Sequence, residues 1–168
     1  MKIFETERLL FRHLEPGDLD DLYALYRDPE VRRFFPEGTY TREQTQLRLE
    51  SYLQGYRENP TLGFWATILR ETGEFIGRCG LLPWVIDGRA EIEIAYMLTR
   101  QFWGRGLGTE AAEGIARYAR DTLNINRLIC LIDRENLASI RVAEKVGMAF
   151  ENEGRDELGP YLLYSMSK

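Results

Sequence analysis

The stretch Trp103-Gly104-Arg105-Gly106-Leu107-Gly108-Thr109-Glu110-Ala111 constrains this chain more than any other. It joins a strand-like run, Glu91 to Leu98, to a helix-like run from about Leu107 to Leu123. Three glycines on alternate positions leave the backbone bare where a strand turns into a helix. Amide N–H groups can converge there on an anion, with the positive end of the helix dipole behind them. The natural anion is a pyrophosphate. Two familiar phosphate loops fail on spacing: a P-loop needs a lysine that is absent here, and a dinucleotide fingerprint needs G-x-G-x-x-G where these glycines alternate. The competing reading is plain turn chemistry, which also favours glycine.

At 168 residues, 44% hydrophobic and 29% charged, the chain reads as one soluble globular domain spanning residues 1–168. A formal net charge of −5 argues against nucleic acid as a partner and weakly favours cationic substrates. Cys79 and Cys130 lie in strand-like apolar segments and are too few for a disulfide framework, so they read as reduced, buried thiols. One histidine and two separated cysteines offer none of the usual metal-ligand clusters, and no metal is expected. No stretch reads as a signal peptide or a membrane span, which predicts a cytoplasmic protein without a membrane partner.

Arg8 to Leu14 reads as a first strand. Leu19, Leu22, Tyr23 and Tyr26 form an i, i+3, i+4, i+7 stripe on one helix, and a second helix opens at Thr41 with Gln44 completing a capping box. Phe64 to Leu69 and Phe75 to Leu82 read as a hairpin, and Asp87-Gly88 signals another before Glu91 to Leu98. After the glycine loop and its helix, Arg127 to Ile132 reads as a strand. Asn136 opens a short helix ending at Gly147, and a terminal hairpin includes the strand Tyr161 to Met166. Helices and strands mixed around one, mostly antiparallel sheet predict a mixed α/β fold.

The Gly106-x-Gly108 turn, the strand before it, and Asn136-x-x-Ser139 with Lys145-x-Gly147-Met148 resemble the GNAT superfamily of acetyl-CoA-dependent N-acetyltransferases. Thr6-Glu7-Arg8-Leu9-Leu10-Phe11-Arg12, Asp28-Pro29-Glu30-Val31, Phe102-Trp103-Gly104 and Thr109-Glu110-Ala111 narrow this to the RimJ/RimL-like branch, named for enzymes that acetylate ribosomal-protein N-termini. The resemblance implies that central strands splay apart and that the pantetheine arm of acetyl-CoA lies in the gap like an added strand. Met97 and Leu98 would offer it backbone groups. Amides of Arg105, Gly106, Leu107, Gly108 and Thr109 would bind the pyrophosphate, with Arg105 either adding charge or simply solvated. Asn136 would contact the cofactor, and the Ser139 hydroxyl would lie near the thioester sulfur and return a proton to the leaving thiolate; as residues alone, both also read as ordinary helix-start chemistry. The tyrosine that many relatives use as acid is Ala143 here, and the Arg or Gln usual before the glycines is Trp103.

Acetyl transfer needs an amine to lose its proton, attack the thioester and let a thiolate leave. Glu93 and Glu91 are the base candidates, Glu93 preferred: they sit two apart on one strand and so share a face. A solvated edge, or ion pairs with Arg78 or Arg89, would equally account for them. Glu157 is a third base candidate and Tyr161 an alternative acid, while His13 reads as structural. The segment holding Phe34, Phe35 and Tyr40 would line the acceptor side. The resemblance implies an amine acceptor, a protein or peptide N-terminus or a small molecule such as a polyamine, antibiotic or amino acid, and it allows a homodimer. An acyl-CoA-binding module without turnover is the alternative of a different class.

Overall fold

The computed structural model describes residues 1–167. Eight strands, β1 (Lys2–Glu5), β2 (Leu9–His13), β3 (Gly63–Leu69), β4 (Phe75–Ile86), β5 (Arg89–Leu98), β6 (Arg127–Ile132), β7 (Ala149–Asp156) and β8 (Gly159–Ser167), form one sheet. Their spatial order is β1-β2-β3-β4-β5-β6-β8-β7. Every neighbouring pair is antiparallel except β5 and β6, which run parallel. This is the mixed α/β fold around one mostly antiparallel sheet expected from the sequence.

Four helices cover the sheet: α1 (Leu19–Tyr26), α2 (Arg42–Glu58), α3 (Leu107–Asp121) and α4 (Leu137–Val146). Strand alternation sends side chains to two separate cores. Leu9, Phe11, Trp65, Cys79, Leu81, Ile94 and Leu98 meet the apolar face of α3 at Leu107, Ala111 and Ile115. Ala66, Ile68 and Met97 meet Leu22, Leu25, Tyr26 and Leu49 of α1 and α2 on the other side.

Local chemistry explains most boundaries. Thr41 accepts from the Gln44 amide at 3.2 Å and Gln44 Oε1 accepts from the Thr41 amide at 2.8 Å, the reciprocal capping box that starts α2. Thr41→Ala is expected to lower stability by about 1 kcal/mol, read from the denaturation midpoint. Asp87 and Gly88 both adopt positive φ, +50° and +76°, the mirror-image turn that suits the twist of β4 and β5.

Strand β1 is an addition to the elements read from sequence. Its four residues are too short to show alternation, and it is held by Phe4, which stacks on Phe11 at 4.4 Å and on Tyr118 at 4.9 Å. His13 stacks on Tyr56 at 4.2 Å, and its Nε2 lies 2.9 Å from the Pro60 carbonyl oxygen, a packing role away from the fork described below.

Candidate active site

Strands β5 and β6 share a single parallel bridge, Glu93 to Ile129. Beyond it they part. Which β5 groups face the opening follows from the β4 ladder. The Thr99 amide donates to the Ile76 carbonyl at 2.8 Å, and hydrogen-bonded pairs alternate from there. Met97, Ala95 and Glu93 therefore turn their backbone groups to β4. Ile94, Tyr96 and Leu98 turn theirs to the gap.

Two of these expectations change. Met97 has no backbone group to offer in the gap, since its amide and carbonyl are committed to the pairing with Arg78, and the position that a Cβ on Gly77 would take lies 2.1 Å from the Met97 carbonyl oxygen. Leu98 faces the gap, but its carbonyl already accepts from Trp103 Nε1 at 2.8 Å. Tyr96, between them, presents both its amide and its carbonyl to the opening.

Glu93 stands where the strands part. Trp84 Nε1 donates to its Oε2 at 2.7 Å, and the Leu131 amide approaches Oε1 at 3.4 Å. In a continuing parallel ladder that amide would reach the Ile94 carbonyl; instead Cys130 Sγ donates to the Ile94 oxygen at 3.3 Å. Glu93 is 9% exposed, and burial pushes its carboxyl up to about 7, with the Trp84 and Leu131 donors and the Arg78 charge pulling the other way. A carboxyl that titrates near neutrality can exchange protons there.

Glu91 shares the face but not the chemistry. Both its oxygens accept from Arg127 Nε, at 3.0 and 2.9 Å, and Arg89 Nε lies 3.4 Å away. Of the two arginines named from sequence, Arg89 is a partner. Arg78 instead donates through Nε to the Tyr26 hydroxyl at 2.8 Å and lies 3.6 Å over the Phe64 ring. The Glu91 carboxylate is thus engaged by two arginines and has no free face toward the gap comparable to that of Glu93.

At the lower end of the gap, Gly104 and Gly106 both adopt φ +73°, and α3 begins at Leu107 with no side chain capping it. The first amides of the helix, at Leu107, Gly108 and Thr109, are left for a ligand or solvent. The exposed Arg105 guanidinium lies 5.2 Å over the Phe102 ring. Across the gap, Asn136 Oδ1 accepts from the Ser139 amide at 3.2 Å and so caps α4. The Ser139 carbonyl accepts from the Tyr96 hydroxyl at 3.1 Å, while its own hydroxyl carries no hydrogen bond among the described residues. Glu157 lies exposed in the turn between β7 and β8. Phe35 and Tyr40 stack around Arg32, at 4.6 and 4.3 Å.

The sequence pattern of the acetyltransferase (GNAT) domain matches residues 8–149. The chain belongs to the GNAT acetyltransferase family. It is an acyltransferase of the N-acetyltransferase type, and GNAT enzymes of this type act on an amine. Uncharacterized protein YkkB of Bacillus subtilis is 33% identical over 160 residues, 95% of this chain and 92% of its own length. Spermidine N(1)-acetyltransferase of Escherichia coli is 34% identical over 146 residues, 84% of this chain and 73% of its own length. Among solved structures, the ribosomal L7/L12 alpha-N-protein acetyltransferase RimL in complex with coenzyme A superposes with a TM-score of 0.79 at 16% identity, covering 99% of this chain and 98% of that one. At that identity the likeness is one of fold.

Within this GNAT domain, sequence reasoning missed the hydrogen bond from Trp84 to Glu93. A two-residue turn fixes the β4–β5 register, which places Trp84 opposite Glu91 and diagonal to Glu93, so the turn itself held the clue. Trp84→Phe keeps a ring and removes the donor. Because that hydrogen bond favours the ionised form, the Glu93 carboxyl is expected to titrate at higher pH in the variant, checked by carbon NMR of the carboxyl across a pH series. Among the described residues no group of three or more His, Cys, Asp and Glu side chains could hold a metal ion, and no helix is long and apolar enough to cross a membrane.

Proposed function

We propose that the chain transfers the acetyl group of acetyl-CoA to a primary amine, with Glu93 as general base. One observation carries this reading: a buried carboxyl titrating near neutrality stands where a β-sheet opens and leaves backbone groups unpaired. The pantetheine arm fits the gap as an added strand against the Tyr96 carbonyl and the Leu98 amide. The diphosphate fits the open start of α3 at Gly106, Leu107, Gly108 and Thr109, with Arg105 beside it. Asn136 and Ser139 flank the gap from α4.

In this scheme Glu93 takes a proton from the acceptor ammonium, directly or through water. The amine attacks the thioester carbonyl, whose developing negative charge the Tyr96 amide is placed to stabilise. The tetrahedral adduct collapses and the C–S bond breaks; the Ser139 hydroxyl gives the thiolate its proton and takes one in turn from the adduct nitrogen, leaving a neutral amide and a free thiol, and Glu93 returns its proton to water. Glu91 serves as an ion-paired support, not a second base.

The acceptor we favour is the α-amine of a protein or peptide N-terminus, as the RimJ/RimL-like motifs suggest. A polyamine is the second reading, favoured by the spermidine acetyltransferase relative. Titration with acetyl-CoA followed by thiol-release assays on N-terminal peptides, polyamines, amino acids and aminoglycosides tests both. Release with one class names the acceptor. Tight binding without release on any acceptor would leave an acyl-CoA-binding module, and no binding would refute the reading.

A further inference from the structure

Thr6-Glu7-Arg8 and Thr109-Glu110-Ala111 lie about a hundred residues apart, yet they meet. Glu110 occupies the first turn of α3. Its Oε1 accepts from the Thr6 hydroxyl at 2.6 Å and from the Arg8 amide at 2.8 Å, and its Oε2 accepts from Arg8 Nε at 2.6 Å. Arg8 Nη1 donates in turn to the Arg105 carbonyl at 3.0 Å, inside the glycine loop. Arg70 Nη1 ties down the back of the same turn through the Thr6 and Glu7 carbonyls, at 2.7 and 3.0 Å. Gly114 makes the approach possible: a Cβ there would stand 2.5 Å from Thr6 Cγ2.

A carboxylate in the first turn of a helix occupies the dipole end that an incoming anion would use. Burial raises the Glu110 carboxyl, but the Thr6 and Arg8 hydrogen bonds outweigh it and hold the group below its usual value, so it is ionised. Its oxygens are turned back onto Thr6 and Arg8. What this arrangement presents to the loop is the Arg8 guanidinium, whose Nη2 lies 3.7 Å from the position a Cβ on Gly106 would take and makes no hydrogen bond among the described residues. Arg105 is exposed, with the Phe102 ring beneath it; Arg8 is fixed at three points.

We propose that Arg8 is a ligand of the acetyl donor's diphosphate, with Glu110 as the residue that positions it. This rests on the transferase reading above and adds a cation that the glycine loop does not itself hold rigidly. A guanidinium beside a diphosphate forms charge-assisted hydrogen bonds and gives binding a salt dependence.

The test is calorimetric binding of acetyl-CoA and of its 3′-dephospho form across a sodium chloride series, for the wild type, Arg8→Met and Arg8→Lys. Arg8→Met is expected to weaken both ligands about tenfold and to flatten the salt dependence. Arg8→Lys, which keeps the charge, is expected to recover part of the affinity and the salt slope. Should Arg8→Met fail to fold, Arg8→Gln, which also removes the charge but keeps a donor toward Glu110, carries the test with the same expected loss of affinity and flattening of the salt dependence. Unchanged affinity, or a loss with the salt slope intact and no recovery by lysine, would reduce Arg8 to a structural staple and overturn the proposal. A loss confined to the 3′-phosphorylated ligand would move Arg8 off the diphosphate. Absence of acetyl-CoA binding by the wild type refutes the transferase reading itself, and shows before any variant is made.

Discussion

Glu93→Gln is expected to slow acetyl transfer by about 10²- to 10⁴-fold and, at the same time, to make the protein more stable at alkaline pH. The two effects have one cause. The Glu93 carboxyl titrates at about 7 in the fold against 4.5 as its ordinary value, because burial opposes its charge. The wild-type rate should therefore fall tenfold per unit as pH drops below about 7, and the variant should lose that limb. For stability the sign is opposite to that of a salt-bridged acid. Between pH 4.5 and 7 the folded chain holds a proton that the unfolded chain has released, so stability falls as pH rises through that window. Above it, the buried charge costs about 3 kcal/mol. Glutamine keeps an acceptor for Trp84 Nε1 without that charge. Melting curves at pH 5 and pH 8 check this: the variant should exceed wild type at pH 8 and approach it at pH 5. A slow variant that keeps the wild-type acid limb would assign the base elsewhere.

Gly80→Ala is expected to be the most damaging small substitution. A Cβ at Gly80 would stand 1.9 Å from the Gly63 carbonyl oxygen and 2.9 Å from the Phe64 Cα. Both are backbone atoms of β3, so no rotamer change relieves the clash; β3 and β4 must separate. A loss of about 3 kcal/mol or more follows, roughly ten degrees in Tm for a chain of this length. Gly80 also pairs with Ala95, two residues past the fork at Glu93, so the damage reaches the gap. A soluble variant melting within about 2 °C of wild type would contradict this account of the β3–β4 approach.

Features encoded within a few residues of one another were legible in the sequence. The Thr41–Gln44 box, the Asp87-Gly88 turn, Asn136 as a cap and Gly147 at φ +100° each follow from local backbone chemistry. Glu91 and Glu93 were equally legible as a pair. What separates them is Arg127, thirty-six residues further on, which claims one carboxylate and leaves the other to a tryptophan. The choice of Tyr96 over Met97 depends on which rung of the β4–β5 ladder is hydrogen-bonded. That parity is set by the Thr99–Ile76 contact, and composition carries no trace of it. The meeting of Thr6 and Arg8 with Glu110 was likewise hidden, because both motifs were visible while the space between them was not.

The lone rung between β5 and β6 makes the sheet two leaves bound along a weak spine. The second leaf, β6 to β8 with α4, is contiguous in the sequence. A molecule lying along the spine with amides on both edges would act as the missing thread, sewing together backbone that the protein leaves unsewn. Substrate and scaffold are then the same object viewed at different moments of turnover. Under the proposed binding mode, each release of product would unpick a seam in the fold, and the Tyr96 and Leu98 amides should exchange with deuterium in step with the cycle.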